Sequence, residues 1–228
     1  MSFFHAGPAP RAPGPRSGAL RGLAVQPGMR VGLFGGSFNP AHDGHAHVAE
    51  TALRRLDLDR VVWLVSPQNP LKDARDTAPL AERMASARTA AAAASSGRAM
   101  LVSDFETRAG TRRTVDTLRA LQDRHPGVRF VWLMGSDNLA TFHRWAGWTD
   151  IMRMMPVAVV ARPGSLLESR AAPAARRFAA WRIPSRGARL LAGMDAPAWT
   201  YLRAPLNRSS STALRAGLDP GDRRPHLC

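Results

Sequence analysis

Short apolar runs alternate with longer segments of helical spacing along most of this chain, and that alternation constrains its fold most. The runs occupy residues 31–34, 61–65, 100–102, 130–134 and 157–160. Between them, residues 45–56, 80–94, 113–123 and, more broken, 137–155 carry helical character. Strands that alternate with helices, bounded by turn residues, predict parallel pairing through right-handed crossovers. The expected class is α/β, a single domain with one parallel sheet and helices on both faces. Ligands of such sheets bind beyond the carboxyl ends of the strands, where the strand order reverses. Beyond Pro163 the pattern blurs into an Ala/Arg-rich stretch, read as helical over 166–181, and a further strand is expected at 199–202.

A chain of 228 residues can bury a full core. Residues 1–28 are rich in Pro, Gly, Ala and Arg without a continuous apolar stretch, and read as a disordered leader rather than a secretory signal. The domain is expected over 29–217 and a solvated tail over 218–228. No stretch is long and apolar enough to cross a membrane, so no membrane partner is expected. Cys228 is the only cysteine, which excludes an internal disulfide and points to a cytoplasmic setting. The net charge of +15 comes from 32 basic residues, of which only Lys72 is lysine. Such a charge attracts anions and raises encounter rates with nucleotides. A nucleic-acid partner is not expected, because no zinc-finger spacing, RNA-recognition signature or basic stripe interleaved with aromatics occurs.

The first apolar run leads into Gly35-Gly36-Ser37-Phe38-Asn39-Pro40-Ala41-His42-Asp43-Gly44-His45. Paired glycines permit a sharp turn and close approach of a ligand. Asp43 is the expected N-cap of the following helix, which puts His42 and His45 at its N-terminus. Free amides and the helix dipole at that end favour an anion, phosphate above all. A metal pair is the competing reading, but no cysteine or acidic cluster nearby completes a zinc set, and no dedicated metal site is expected.

Three more segments accompany it in order: Pro67-Gln68-Asn69-Pro70-Leu71-Lys72, Gly135-Ser136-Asp137, and Ser210-Ser211-Thr212-Ala213-Leu214-Arg215. Together the four resemble the HxGH nucleotidyltransferase superfamily, and most closely the bacterial nicotinate-nucleotide adenylyltransferase family, over about residues 29 to 217. The resemblance implies a Rossmann-like sheet and transfer of AMP from ATP to nicotinate mononucleotide, with Mg²⁺ carried mainly by the ATP phosphates. Pantetheine-phosphate adenylyltransferase and cytidylyltransferase are the rivals within that fold; a basic nucleotide- or RNA-binding protein without catalysis is the rival outside it.

Residue by residue, the resemblance implies that His42 and His45 contact the ATP phosphates and stabilise the transition state. Gly35, Gly36, Ser37 and Phe38 would line the nucleotide site through their backbone. Ser211, Thr212 and Arg215 would hold the outer phosphates, and Gly135 and Asp137 would lie near the adenosine. On the acceptor side, Lys72 would approach substrate phosphate and Thr114 would offer its backbone to the pyridine carboxylate. Trp145 would stack on the pyridine ring, and Arg162 would lie at the mouth of the site. Two departures from the family pattern stand out: Asn39 replaces a common Asp, and Arg112-Arg113 replaces a common Ser-Tyr.

Overall fold

A computed structural model of the chain describes residues 23–67, 77–162, 169 and 171–203. Its strands are β1 (Arg30–Gly36), β2 (Arg60–Val65), β3 (Met100–Ser103), β4 (Arg129–Gly135), β5 (Val157–Val160), β6 (Arg182–Ile183) and β7 (Trp199–Leu202). Its main helices are α1 (Asp43–Arg55), α2 (Leu80–Ala93), α3 (Phe105–Ala109), α4 (Thr114–Arg124), α5 (Ser136–Thr141) and α6 (Trp148–Met154). The strands form one sheet in the order β3-β2-β1-β4-β5-β7-β6, and every pairing is parallel.

Side chains of a strand alternate between the two faces of its sheet, and here both faces are covered. Val31, Leu33, Val62, Leu64, Trp132, Met134, Val157 and Val159 form one core with α4 and α6. Phe34, Val61, Trp63, Val131, Leu133, Ala158 and Val160 form the other with α1, α2 and the 3-10 segment Ser185–Gly193. Double coverage explains why the strands read as continuous apolar runs. Each large side chain buried in these layers contributes roughly 1.5–3 kcal/mol. Ala46, Ala49 and Ala52 on α1, and Ala87 and Ala91 on α2, bring those helices close to the strands.

Several expectations shift. The helical stretch 137–155 divides into α5, a 3-10 turn at Phe142–Arg144, and α6. Trp145, in an extended conformation, ends the 3-10 turn, and Gly147, at φ 70°, precedes α6, because a left-handed residue cannot continue a right-handed helix. Within 166–181 the described part is likewise broken, into a helix at Pro173–Arg177 and a 3-10 turn at Ala179–Trp181. Pro173 lacks an N–H and therefore starts a helix instead of extending one. The two-residue β6 then adds a parallel edge to the sheet. Residues 23–28, counted above with the leader, make packing contacts: Leu23 is 9 % exposed within the core, and the Gly28 N–H donates to the Gly127 carbonyl at 2.8 Å. The expected tail lies outside the described residues.

Candidate active site

The chain winds from β1 outward through β2 to β3, then returns to place β4 on the other side of β1. The strand order thus reverses between β1 and β4, and the carboxyl ends of strands at such a point are the usual ligand position in open parallel sheets. Register aligns those ends: Phe34 faces Leu133, and Gly135 faces Val160. The segments that follow β1, β4 and β5 carry His42 and His45, Asp137, and Arg162 respectively.

The glycine pair belongs to β1 itself, and the turn comes after it. A Cβ on Gly35 would collide with the Trp132 indole, and one on Gly36 would meet the Phe38 ring at 3.1 Å. The left-handed residue of the turn is Phe38, at φ 46°, a conformation costing a non-glycine residue about 1–2 kcal/mol. Its ring repays part of that by burial at 1 % exposure and by stacking on Trp63 with centroids 5.1 Å apart. With its ring buried, Phe38 leaves only its backbone available to a ligand.

Helix α1 is capped by His42, not by Asp43. The Gly44 N–H donates to His42 Nδ1 at 3.0 Å, and the His42 N–H donates to His45 Nδ1 at 3.2 Å, so the two imidazoles form a reciprocal capping box. Asp43 occupies the first turn, where its charge complements the helix dipole. An Nδ1 that accepts from an N–H carries no proton. Each neutral ring must then hold its proton on Nε2, as a donor. The rings lie 3.9 Å apart, and His45 is backed edge-on by Phe38 at 5.0 Å. Burial, and secondarily the Arg162 charge, push the His42 pKa down to about 4 against the weaker pull of Asp43 and Asp137. At neutral pH His42 is thus an uncharged donor. His47 is half-buried farther along α1, and takes no part in the cap.

Arg162 and Asp137 border this pair from β5 and β4. The Arg162 guanidinium meets the Asp137 carboxylate at 3.1 Å, and the Arg162 backbone N–H donates to Ser136 Oγ at 2.8 Å. Gly135 leaves room for this pair: a Cβ would strike the Asp137 carboxylate and meet the Arg162 side chain at 2.7 Å, so both side chains would have to shift. Asp137 is not the N-cap of α5; Gly135 holds that position.

Thr114 is the first residue of α4, whose N-cap, Arg113, makes no side-chain capping hydrogen bond. The backbone N–H of a first-turn residue has no intrahelical acceptor, which suits it to a carboxylate. Trp145 sits edge-on to Trp132 at 6.4 Å and to Phe142 at 5.4 Å. Gly147 lies against Val115, where a Cβ would come within 2.9 Å, so the Trp145 turn and the start of α4 are packed together.

Comparison with known proteins identifies the family. Residues 33–217 match the family model described as cytidylyltransferase-like. A protein of Caulobacter sp. (strain K31), named "Probable nicotinate-nucleotide adenylyltransferase", is 65 % identical over 82 % of this chain and 97 % of its own length. One of the same name from Methylorubrum extorquens is 54 % identical over 82 % of this chain and 99 % of its own. The chain belongs to the nicotinate-nucleotide adenylyltransferase family. The solved structure of Plasmodium falciparum nicotinic acid mononucleotide adenylyltransferase complexed with NaAD shares the fold at a TM-score of 0.61. It is 14 % identical and covers 82 % of this chain and 83 % of its own.

Of the residues assigned to the adenylyltransferase site from sequence, the structure joins His42 to His45 and Asp137 to Arg162. It also seats Gly35 on Trp132, which in turn contacts Trp145. Lys72, Ser211, Thr212 and Arg215 lie outside the described residues. Sequence reasoning missed Arg83, 2 % exposed on α2, whose guanidinium donates to the Ser37 carbonyl just after β1. Its signal was a charge beside Met84, Ala87 and Ala91 on an otherwise apolar stripe.

Proposed function

We propose that the chain transfers AMP from ATP to nicotinate mononucleotide, giving nicotinic acid adenine dinucleotide and pyrophosphate for NAD biosynthesis. An oxygen of the mononucleotide phosphate bonds to the α-phosphorus of ATP, the bond from that phosphorus to the bridging oxygen breaks, and pyrophosphate leaves with the electron pair. A phosphate monoester has its second pKa at about 6, so the attacking oxygen is already ionised near neutral pH and needs no general base. Catalysis then reduces to alignment and to stabilising charge at phosphorus.

The observation that carries this reading is the reciprocal histidine cap at the carboxyl end of β1. It turns two imidazoles into fixed, neutral Nε2–H donors beside the first-turn amides of α1. Donors fixed in advance need no reorganisation as charge develops. His42 and His45 are assigned to the α-phosphate and leaving pyrophosphate, and the backbone of Gly35, Gly36, Ser37 and Phe38 to the nucleotide. Gly135 and Asp137 are assigned to the adenosine side. Thr114, Trp145 and Arg162 are assigned to the acceptor: the first amide of α4 to its carboxylate, and the indole to its ring. Ser211, Thr212 and Arg215 on the outer phosphates, and Lys72 on substrate phosphate, rest on their motifs alone.

Mg²⁺ fits this donor set as a passenger of the triphosphate. Among the described residues no group of three or more His, Cys, Asp or Glu is placed to hold a metal, and Asp137 is paired with Arg162. A hard cation takes oxygen ligands, here those of ATP and water, and it offsets negative charge on the leaving pyrophosphate. Among the described residues no helix is long and apolar enough to cross a membrane, and the reading places the enzyme in the cytoplasm with small-molecule partners.

Pyrophosphate release with ATP and Mg²⁺ tests the assignment. Nicotinate mononucleotide should support turnover, with phosphopantetheine, or CTP in place of ATP, near background. Equal rates with nicotinamide mononucleotide contradict the acceptor, and no adenylyl transfer to either pyridine nucleotide contradicts the reading.

A further inference from the structure

Arg83 is a buried cation with an unusual set of partners. Its Nε donates to the Ala78 carbonyl at 2.8 Å, Nη1 to the carbonyls of Ser37 at 2.8 Å and Ser66 at 2.7 Å, and Nη2 to that of Pro67 at 2.7 Å. Among the described residues it forms no ion pair. Desolvation draws its pKa below the ordinary arginine value, yet a guanidinium stays charged in proteins. A buried cation without a carboxylate is costly, so hydrogen bonds must satisfy its donors.

Those four carbonyls belong to three separate stretches of chain. Ser37 follows β1, Ser66 and Pro67 follow β2, and Ala78 precedes α2. Four carbonyl oxygens directed at one group repel one another, and the charged guanidinium donors between them offset that repulsion. Three further hydrogen bonds tie residues 36–41 to the end of β2, to Ala78 and to α2. The Ala78 N–H donates to Asn39 Oδ1 at 3.0 Å, and the Ala41 N–H to Ser86 Oγ at 3.0 Å. The Ser66 N–H donates to the Gly36 carbonyl at 3.0 Å. Residues 37–41 lead directly into the His42–His45 cap. The peptide planes that set its entry angle are therefore held from α2 and the end of β2.

We propose that Arg83 is a positioning residue for adenylyl transfer: its buried guanidinium fixes residues 37–41, and through them the two imidazole donors, against the end of β2. The inference rests on the reading of the histidine pair as the phosphate-transfer site. Arginine is required because its planar fork reaches four acceptors in fixed directions, whereas lysine supplies a single point charge with three donors. The consequence belongs to the transition state. Misplacing reacting groups by about 1 Å costs on the order of 10²-fold in rate, while ground-state binding suffers less.

The test uses the full chain with Arg83→Lys and Arg83→Ala, with kcat and KM expressed per folded molecule and the folded fraction read by circular dichroism. Arg83→Ala should lose about 100-fold in kcat with the KM for ATP within about threefold. Arg83→Lys should fall between it and the wild type. Millimolar guanidinium ion added to Arg83→Ala should restore at least about tenfold of kcat without accelerating the wild type, by refilling the site between the carbonyls. Unchanged kcat per folded molecule in Arg83→Lys, or a Lys variant that does not fold, assigns Arg83 to stability alone and overturns the proposal. A folded Arg83→Ala that guanidinium does not rescue overturns it as well. A wild-type protein that is folded yet transfers no adenylyl group removes the functional reading instead.

Discussion

Acidification should weaken this fold through His42 in a way that a single substitution isolates. The ring is 6 % exposed, its Nδ1 is occupied by the Gly44 N–H, and its neighbours are Arg162, Asp43, Asp137 and the His45 ring at 3.9 Å. Protonating Nδ1 would set one N–H against another and open the cap. The folded protein therefore prefers the neutral ring, with a pKa of about 4, whereas an exposed histidine titrates near 6.5. Between those values the unfolded chain binds the proton that the native state refuses. Stability from this group is complete above pH 6.5 and is lost as pH falls towards 4; at 1.36 kcal/mol per pH unit the loss is about 3 kcal/mol. Glu106, whose carboxyl burial raises to about 7, acts in the opposite direction by destabilising the fold as it ionises. A difference measurement is therefore needed. Denaturant unfolding of wild type and His42→Asn between pH 7.5 and 4 supplies it, because Asn keeps a capping oxygen without a proton-binding ring. Wild type should lose about 3 kcal/mol more than the variant over that range. Parallel pH slopes, or a His42 ring titrating near 6.5 by NMR, refute the argument.

The other predictions concern the site directly. His45→Ala should lose about 10²–10³ in kcat with little change in the KM for ATP, as for removal of one fixed donor, measured by pyrophosphate release. Gly35→Ala should cost about 1–3 kcal/mol by driving a methyl into the buried Trp132 indole. It should also raise the acceptor KM, because Trp132 supports Trp145; thermal unfolding with steady-state kinetics checks both. Trp145→Ala should weaken the acceptor by about 1–3 kcal/mol while leaving the KM for ATP in place, and equal losses for both substrates contradict its assignment.

The sheet was legible from sequence because double coverage makes each central strand a continuous apolar run, and Val61–Val65 or Phe130–Met134 admit no other reading at that length. Elements defined by a few residues were less legible. The stretch 137–155 read as broken helix, but where it breaks is set by the extended backbone of Trp145 and the left-handed Gly147. The edge strand β6 is two residues long and carries no pattern. At the site, the general preference for Asp as N-cap favoured Asp43, whereas the imidazole of His42 takes that place through its Nδ1. The glycine pair was read as a turn, but its main constraint is lateral, from Trp132 and Phe38. Arg83 was hidden because its partners are backbone carbonyls, and a sequence does not display where carbonyls converge.

Following the α-phosphorus itself tests the central claim most directly. With ATP radiolabelled at that position, Mg²⁺ and nicotinate mononucleotide, the account predicts that the label enters the dinucleotide while one pyrophosphate appears per label transferred. Label recovered only in AMP or ADP, with the mononucleotide unchanged, contradicts it.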